Sequence, residues 1–256
     1  MSETKRGLVQ SVSRAADILR CFEGRGELGL SEISRLVGLH KSTAAGIVNT
    51  LREERLLEQN EATGKLRLGI ELLRLSANIK LDLKAVCAPH LEELLRDTGE
   101  TVCLAVRDGD AVVYVEKKES PHAMRICTRI GERMPMHCTA VGKAMLAFLD
   151  EGDRERFLQT AELTRYTYNT ITDRDILRDR LRRIRAAGYA TDAEEWEYGL
   201  VCVAVPLLGA DRRPVGGLSV SGPSIRMTEQ ILDQSVRALL ETAAAVRRAY
   251  VGYAGN

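Results

Sequence analysis

Aromatic residues, long apolar runs and clustered cysteines are scarce or missing in this sequence. Aromatic side chains make up only 4% of the 256 residues, so a packed core must be built mainly from Leu, Val, Ile and Ala. No uninterrupted apolar run approaches the roughly 20 residues that a membrane-spanning helix needs. The first ten residues, MSETKRGLVQ, contain no apolar segment like that of a secretion signal. We therefore expect a cytoplasmic protein without a membrane partner.

The six cysteines are scattered along the chain, and none belongs to a C-x-x-C pair. Zinc clusters and disulfide frameworks need closer or more regular spacing. We interpret these cysteines as small buried side chains and expect neither a metal site nor a cofactor. The net charge of +1 gives no global signal for nucleic-acid binding, although a balanced total can conceal a local basic patch.

The stretch LSEISRLVGLHKSTAAGIVNTL, residues 30–51, has the pattern of two helices joined by a tight turn. Ser31 is the expected N-cap of the first helix, and Gly38 is the expected left-handed residue that ends it. The second helix is predicted to run from about Ser42 to Glu54. Its apolar stripe consists of Ala44, Ile47, Val48 and Leu51.

A hairpin is predicted after these helices. The turn-forming stretch NEATGK is followed by Lys65, Leu66, Arg67 and Leu68, which alternate polar and apolar as in a half-exposed strand. Helices followed by a two-stranded wing are typical of a winged helix-turn-helix. We predict this DNA-binding domain at residues 7–69, a linker helix at 70–82 and a second domain at 83–254.

The second helix of the pair is predicted to enter the major groove of double-stranded DNA. The polar residues at its N-terminus, and Asn49 two turns later, can contact phosphates or base edges. Ala45 and Gly46 are predicted to face the groove, where small residues let the backbone approach closely. The candidate DNA-contacting residues, including two on the wing, are Lys41, Ser42, Thr43, Ala45, Gly46, Asn49, Lys65 and Arg67.

The C-terminal two thirds alternates hairpins with amphipathic helices, which predicts an α+β domain with a mostly antiparallel sheet. Asp108 and Gly109 form the turn of the first hairpin. The stretch AMRICTRIGERM, residues 123–134, is predicted to be a further strand.

Several polar groups of this domain are candidates for a ligand site. Thr139 is a possible N-cap, and a helix N-terminus that faces a cavity is suited to bind an anion. Ser219 and Ser221 are two residues apart and therefore share one face of a strand. Cys202 lies in the neighbouring predicted strand, and Asp192 lies in the acidic stretch TDAEEWEYG.

The polar residues of this domain allow two other interpretations. His137 next to Cys138 is reminiscent of a cysteine hydrolase, but neighbouring strand residues point to opposite faces and would not form a nucleophile–base pair. We therefore predict no catalytic residues. The acidic stretch around Asp192 could hold a metal ion, but a solvated acidic loop is the interpretation that we prefer.

The sequence resembles the isocitrate-lyase-regulator (IclR) family of bacterial transcription factors over nearly its whole length. The N-terminal motifs are SVSRAADILRCF, LSEISRLVGLHKSTAAGIVNTL and ATGKLRLG. The C-terminal motifs follow in the family's order: PHLEELLRDTGETVCLAVRDGDAVVYVEKKES, GERMPMHCTAVGKAMLAFL, TRYTYNTITDRDILRDRL, GYATDAEEWEYGLVCVAVPL and GLSVSGP. The resemblance implies a winged helix-turn-helix, a linker helix and a C-terminal GAF-like effector domain.

The resemblance also implies a function. A homodimer, or a dimer of dimers, would bind a palindromic operator near a catabolic gene as a repressor, and an activator is the alternative within the family. A small carboxylate effector would bind the positions matching Met134, Ala140, Val141, Asp192, Cys202, Ser219 and Ser221. A cysteine-dependent enzyme with an appended DNA-binding domain is the alternative outside the family. Relatives often carry a large residue where Ala45 and Gly46 stand here.

Overall fold

The computed structural model describes residues 8–76 and 82–253, and the chain divides into two compact units, residues 1–80 and 81–256. The predicted domain boundaries, 7–69, 70–82 and 83–254, remain predictions. They include residues 7, 77–81 and 254, which lie outside the described residues.

Within residues 8–76, the N-terminal unit contains three helices, a hairpin and a fourth helix. The elements are α1 (Gln10–Arg20), α2 (Leu30–Leu36), α3 (Lys41–Glu53), β1 (Leu57–Gln59), β2 (Leu66–Leu68) and α4 (Ile70–Ser76). The N-cap of α2 is Gly29 and not Ser31, and the Glu32 carboxylate accepts a hydrogen bond from the Gly29 amide at 2.7 Å. Gly38 has a φ of +64°, as predicted for the residue that ends this helix.

A small apolar core fixes the position of α3. Side chains from all three helices and from both strands pack together, and this core contains Ile18, Phe22, Leu28, Ile33, Val48, Leu51, Leu57 and Leu66. The strands β1 and β2 pair antiparallel, with Leu57 opposite Leu68. The predicted order of helices followed by a two-stranded wing is confirmed.

Residues 82–253 of the C-terminal unit are built on an antiparallel sheet of six strands. In chain order the strands are β3 (Thr101–Asp108), β4 (Ala111–Lys118), β5 (Arg133–Pro135), β6 (Ala190–Ala193), β7 (Leu200–Leu208) and β8 (Pro214–Pro223). In space their order is β5-β4-β3-β8-β7-β6. The helices are α5 (Asp82–Thr98), α6 (Ala140–Phe148), α7 (Glu151–Thr160), α8 (Arg174–Ala187) and α9 (Glu229–Tyr253). The predicted α+β fold is confirmed.

Helices cover both faces of the sheet, because alternate strand residues point to opposite sides. Leu104 and Val203 pack with residues of α5 and α9. Cys103 and Cys202 point to the other face and pack with residues of α6 and α8. None of the helices in the described ranges is long and apolar enough to cross a membrane.

Two local predictions are wrong. Residues 123–132 are not a strand, and the strand that pairs with β4 at this edge of the sheet is the short segment Arg133–Pro135. The side chains of Met124 and Ile130 are exposed, and Ile126 is only half-buried against the core, so this stretch lacks the fully buried face that holds a strand in a sheet. Asp192 does not lie in a solvated loop: it belongs to β6 and is buried.

Candidate DNA-binding surface and effector cavity

One face of α3 carries the predicted DNA-contacting residues. Lys41, Ser42, Thr43, Gly46 and Asn49 are exposed, whereas Ala45 is half-buried. Ala44 is fully buried, as its place on the apolar stripe predicts. The structure therefore brings these candidates together on one side of a single helix.

His40 caps the N-terminus of α3, which the sequence analysis did not predict. Its Nδ1 atom accepts a hydrogen bond from the Ser42 amide at 3.4 Å and lies 2.8 Å from the Ser42 hydroxyl oxygen. The imidazole thereby satisfies one of the amide groups that a helix leaves without a partner at its first turn. It also orients the side chain of Ser42.

Gly46 lies on the open side of α3. A Cβ atom added at this position would meet no atom within 4 Å. The Gly46 carbonyl accepts a hydrogen bond from the Thr50 hydroxyl at 3.1 Å. No packing contact therefore requires a glycine here, and the bare backbone is open to the outside.

The two wing candidates differ in their charge environment. Lys65 and Arg67 are both exposed. Arg67 is paired with Glu58, which lies directly opposite it in the β1–β2 hairpin, with Nε and Oε1 2.5 Å apart. Part of the positive charge of Arg67 is thus compensated within the protein.

A cavity of about 340 Å³ lies in the C-terminal unit. It is bounded by the N-terminus of α6, the edge strand β6 and the inner strands β7 and β8. The seven residues predicted to bind an effector all line it: Met134, Ala140, Val141, Asp192, Cys202, Ser219 and Ser221.

Thr139 places the first turn of α6 against the cavity. Its hydroxyl oxygen accepts a hydrogen bond from the Gly142 amide at 3.3 Å, and the hydroxyl donates to the Pro135 carbonyl at 2.8 Å. The predicted N-cap is thus confirmed. The partial positive charge of a helix N-terminus favours a negatively charged group beside it.

The sheet supplies a row of polar side chains to the cavity. In the sheet register Asp192 lies opposite Cys202, and Cys202 lies opposite Ser221. Residues opposite one another in a sheet share a face. Ser219 lies two positions along β8 on that face, and its buried hydroxyl oxygen has no hydrogen-bond partner. An unsatisfied buried hydroxyl is unfavourable, so a ligand that bonds to it gains affinity.

Asp192 is almost completely buried, at 1% exposure. Its Oδ1 atom accepts a hydrogen bond from the Glu195 amide at 2.7 Å. Burial raises the pKa of Asp192 to about 7, although the nearby ammonium group of Lys143 lowers it. Asp192 is therefore in part a neutral carboxylic acid at neutral pH, and can donate as well as accept a hydrogen bond.

Glu195 is also buried, contrary to the predicted solvated loop, and it forms an ion pair with the fully buried Lys143 of α6. Burial raises the pKa of Glu195, against the lowering effect of Lys143. Within residues 8–76 and 82–253, no group of three or more His, Cys, Asp or Glu side chains is placed to hold a metal ion.

Comparison with family models decides the family. The model described as "Bacterial transcriptional regulator IclR C-terminal" matches residues 76–248, and the model described as "IclR helix-turn-helix domain" matches residues 11–61. The chain belongs to the IclR family of transcriptional regulators. The resemblance noted in the sequence is thereby confirmed.

Known IclR-family regulators match nearly the whole chain. The transcriptional regulator XynR of Escherichia coli K12 is 37% identical over 249 residues, which cover 96% of this chain and 98% of XynR. The transcriptional repressor IclR of the same organism is 30% identical over 251 residues, covering 96% and 92%. An IclR homologue from Microbacterium hydrocarbonoxydans, solved in complex with 4-hydroxybenzoate, superposes with a TM-score of 0.82 at 28% identity, covering 93% and 98%.

The sequence analysis of this IclR-family chain missed further residues that line the cavity. Tyr114 lines it from the buried core, and the half-buried or exposed residues at its rim are Arg125, Thr128, Glu132, Trp196, Glu197 and Tyr198. Trp196 and Tyr198 belong to the acidic stretch TDAEEWEYG, which also contains Asp192. The sequence therefore indicated that they lie near Asp192. Arg125 and Thr128 belong to the stretch 123–134, which was wrongly predicted to be a strand. That prediction gave no reason to place them at the cavity.

His137 and Cys138 do not form a catalytic pair. The Nε2 atom of His137 lies 2.9 Å from the Thr164 carbonyl oxygen and is hydrogen-bonded to it. Burial lowers the pKa of His137 and raises the pKa of the Cys138 thiol. Burial also raises the pKa of Cys202. A thiol activated as a nucleophile needs the opposite shift.

Proposed function

We propose that this regulator represses a catabolic operon and that a small organic acid, bound in the cavity of the C-terminal unit, controls it. The observation that carries the proposal is the unpartnered hydroxyl of Ser219, which lies in the same cavity as the N-terminus of α6. These groups supply donors on two sides, as an anion requires. The bound 4-hydroxybenzoate of the Microbacterium relative is itself a carboxylate, which supports this ligand class.

In this proposal the carboxylate accepts hydrogen bonds from first-turn amides of α6 and from Ser219 and Ser221. Each net hydrogen bond stabilises a complex by about 1 kcal/mol, and more where one partner is charged. Met134, Ala140 and Val141 provide the less polar wall. Cys202 and Asp192 complete the polar row of the sheet.

For DNA we propose that α3 reads the major groove of a palindromic operator. The polar groups near its N-terminus and Asn49 contact phosphates and base edges, while Ala45 and Gly46 let the backbone approach. Lys65 and Arg67 of the wing contact phosphates. A two-fold palindrome requires two copies of α3, so the active form is a homodimer or a dimer of dimers.

Repression is favoured over activation by the names of two relatives. The transcriptional repressor IclR of Escherichia coli and the acetate operon repressor of Salmonella typhimurium are 30% and 31% identical to this chain, respectively, each over 251 residues. The alternative is a transcriptional activator of the same family. A transcription assay on the operator distinguishes the two.

We further propose that the chain is not an enzyme and that it acts in the cytoplasm. The alternative, a cysteine-dependent enzyme, needs an activated thiolate. Cys138 and Cys202 are both buried, and burial raises the pKa of each thiol. This environment supports packing roles for both residues.

A thermal-shift screen tests the proposed effector class. The probes are acetate, glycolate, succinate, benzoate and 4-hydroxybenzoate, each paired with its neutral amide. A carboxylate at 100 times its Kd adds about 2.7 kcal/mol to the free energy of unfolding, and the amide should add much less. The same carboxylate should alter the gel shift of a fragment from upstream of the regulated operon.

The variant Ser219→Ala should abolish most of the thermal shift. Ser235→Ala is the matched control, because Ser235 of α9 is also buried with an unpartnered hydroxyl but does not line the cavity. If both variants respond to the probes as the wild type does, Ser219 does not bind the effector.

A further inference from the structure

Three buried titratable groups lie together beside the cavity. Lys143 of α6 pairs with Glu195, and the Glu195 amide donates a hydrogen bond to Asp192 at 2.7 Å. Asp192 lines the cavity, whereas Lys143 and Glu195 lie behind its wall. Two carboxyl groups thus share the neighbourhood of one ammonium group.

Glu195 makes contacts through both its side chain and its backbone. The side chain of Glu195 holds the ammonium group of Lys143, while its carbonyl accepts hydrogen bonds from the hydroxyls of Thr167 and Thr170. Glu195 is therefore fixed through both its backbone and its side chain. Lys143 is directed to Glu195, and Asp192 has no ion pair of its own among the described residues.

A second anion cannot easily enter beside an ionised Asp192, because like charges in a poorly solvated cavity repel strongly. A carboxylic acid, by contrast, donates a hydrogen bond to an incoming carboxylate. We propose that Asp192 binds the effector carboxylate as a neutral acid, and that Glu195 is a positioning residue, which holds the ammonium group of Lys143 and so prevents this cation from pairing with Asp192 and ionising it. This inference rests on the proposed carboxylate effector and adds a proton to its binding.

The other titratable groups near Asp192 do not take this role. The thiols of Cys138 and Cys202 and the phenol of Tyr114 have pKa values raised by burial, so they stay neutral near pH 7. Burial lowers the pKa of His137, which is therefore mostly neutral as well. Arg125, Glu132 and Glu197 are charged groups at the rim of the same cavity.

The proposal predicts a characteristic pH dependence. Binding of a carboxylate takes up one proton when Asp192 is ionised beforehand. Affinity should be constant below about pH 6 and should fall by about tenfold per pH unit at pH values well above the pKa of Asp192. Asp192→Asn supplies a permanently neutral donor, so its affinity should not vary with pH and should exceed that of the wild type at pH 8.

Variants of the buried pair should move this profile in opposite directions. Lys143→Met removes the neighbouring cation, so the pH at which Asp192 is half ionised, the midpoint of the profile, should rise. Glu195→Gln removes an anion and frees Lys143 to pair with Asp192, so the midpoint should fall. A purely structural role would weaken binding in both variants without this opposite displacement. Glu155→Gln is the matched control, since Glu155 pairs with Arg178 outside the cavity.

The experiment has two measurements. The first titrates the Asp192 carboxyl by ¹³C NMR in the wild type and in the variants Lys143→Met, Glu195→Gln and Glu155→Gln. The second measures the affinity of 4-hydroxybenzoate and the other four carboxylates of the screen between pH 6 and pH 8.5. Because Lys143→Met leaves a buried carboxylate without a partner, Glu195→Gln and the double variant provide the test if Lys143→Met does not fold.

Failure of the inference differs from failure of the proposed function. If no carboxylate stabilises the wild type, the proposed effector class is wrong. If a carboxylate binds with an affinity that does not change with pH, or if Asp192 titrates below pH 5, the inference is wrong. The inference is also wrong if Glu195→Gln has the same midpoint as the control variant Glu155→Gln.

Discussion

Asp192 of β6 and Cys202 of β7 lie directly opposite each other in the antiparallel sheet, and both face the effector cavity. Asp192 is consequently buried beside a thiol and not in water. Burial raises its pKa from the ordinary 3.8 to about 7. The folded protein therefore binds a proton more tightly here than the unfolded chain does.

This difference predicts how stability varies with pH. The contribution of Asp192 is fully present below about pH 4 and is lost as the pH rises to about 7. Relative to Asp192→Asn, the wild type should lose roughly 2–3 kcal/mol in free energy of unfolding between pH 5 and pH 8. Chemical denaturation at both pH values measures this loss. Asp211→Asn, at an exposed position, is the control and should show no comparable change.

Gly142 should tolerate no larger side chain. A Cβ atom at this position would lie 2.4 Å from the Met136 Cα atom and 2.6 Å from the Thr139 hydroxyl oxygen. Gly142→Ala should therefore lower the free energy of unfolding by about 1–3 kcal/mol and disturb the wall of the cavity. Thermal denaturation measures the loss, and Gly152→Ala serves as the control, because its Cβ would meet an ordinary contact at 3.6 Å. Equal melting temperatures for the two variants would contradict this account.

A side chain at Gly46 should leave the fold intact but should disturb operator binding. Gly46→Ala should raise the free energy of unfolding by up to about 1 kcal/mol, because alanine favours a helix and the added Cβ meets no atom. Gly46→Arg should leave the melting temperature nearly unchanged and alter operator affinity. Denaturation and a gel shift test these two effects separately. Unfolding of Gly46→Arg would show that Gly46 is a packing residue.

The wing residues should contribute unequally to DNA binding. Lys65→Ala should reduce the slope of log affinity against log salt by about 0.9, the value for one lost phosphate contact. Arg67→Ala should reduce it less, because Glu58 already compensates part of the Arg67 charge. Glu58→Gln should release Arg67 and raise the slope. Fluorescence anisotropy over a range of salt concentrations measures all three, and equal slopes for the two alanine variants would contradict this view.

Alkylation should distinguish the exposed cysteine from the buried ones. Cys127 is exposed at the rim of the cavity, whereas Cys87, Cys103, Cys138 and Cys202 are buried. Under native conditions Cys127 should react first and the four buried thiols slowly. A bound carboxylate should slow the labelling of Cys127 if it fills the cavity. Peptide mass spectrometry locates each label, and rapid reaction at Cys138 or Cys202 would favour the enzyme alternative.

Much of the fold follows from local sequence pattern. The apolar stripe of α3, the left-handed glycine after α2, the turn at Gly109 and the cap at Thr139 each depend on residues close in sequence. Local pattern predicted the stretch 123–132 wrongly, because its apolar residues are spaced as in a strand although its side chains are mostly exposed. The N-cap of α2 was also predicted wrongly, because the prediction looked for a residue with a capping side chain. Gly29 has none, and its backbone amide instead donates a hydrogen bond to the Glu32 carboxylate.

The family and the order of most elements follow from sequence motifs and local periodicity, and the seven predicted effector-binding residues, which are among those that line the cavity, follow from the resemblance to the family. The raised pKa of Asp192 and the ion pair of Lys143 with Glu195 follow only from the tertiary fold. These two residues are separated by 52 positions, and their interaction depends on burial, which no local pattern encodes. Removal from water controls the charge state of Asp192, and packing of the whole chain controls that removal.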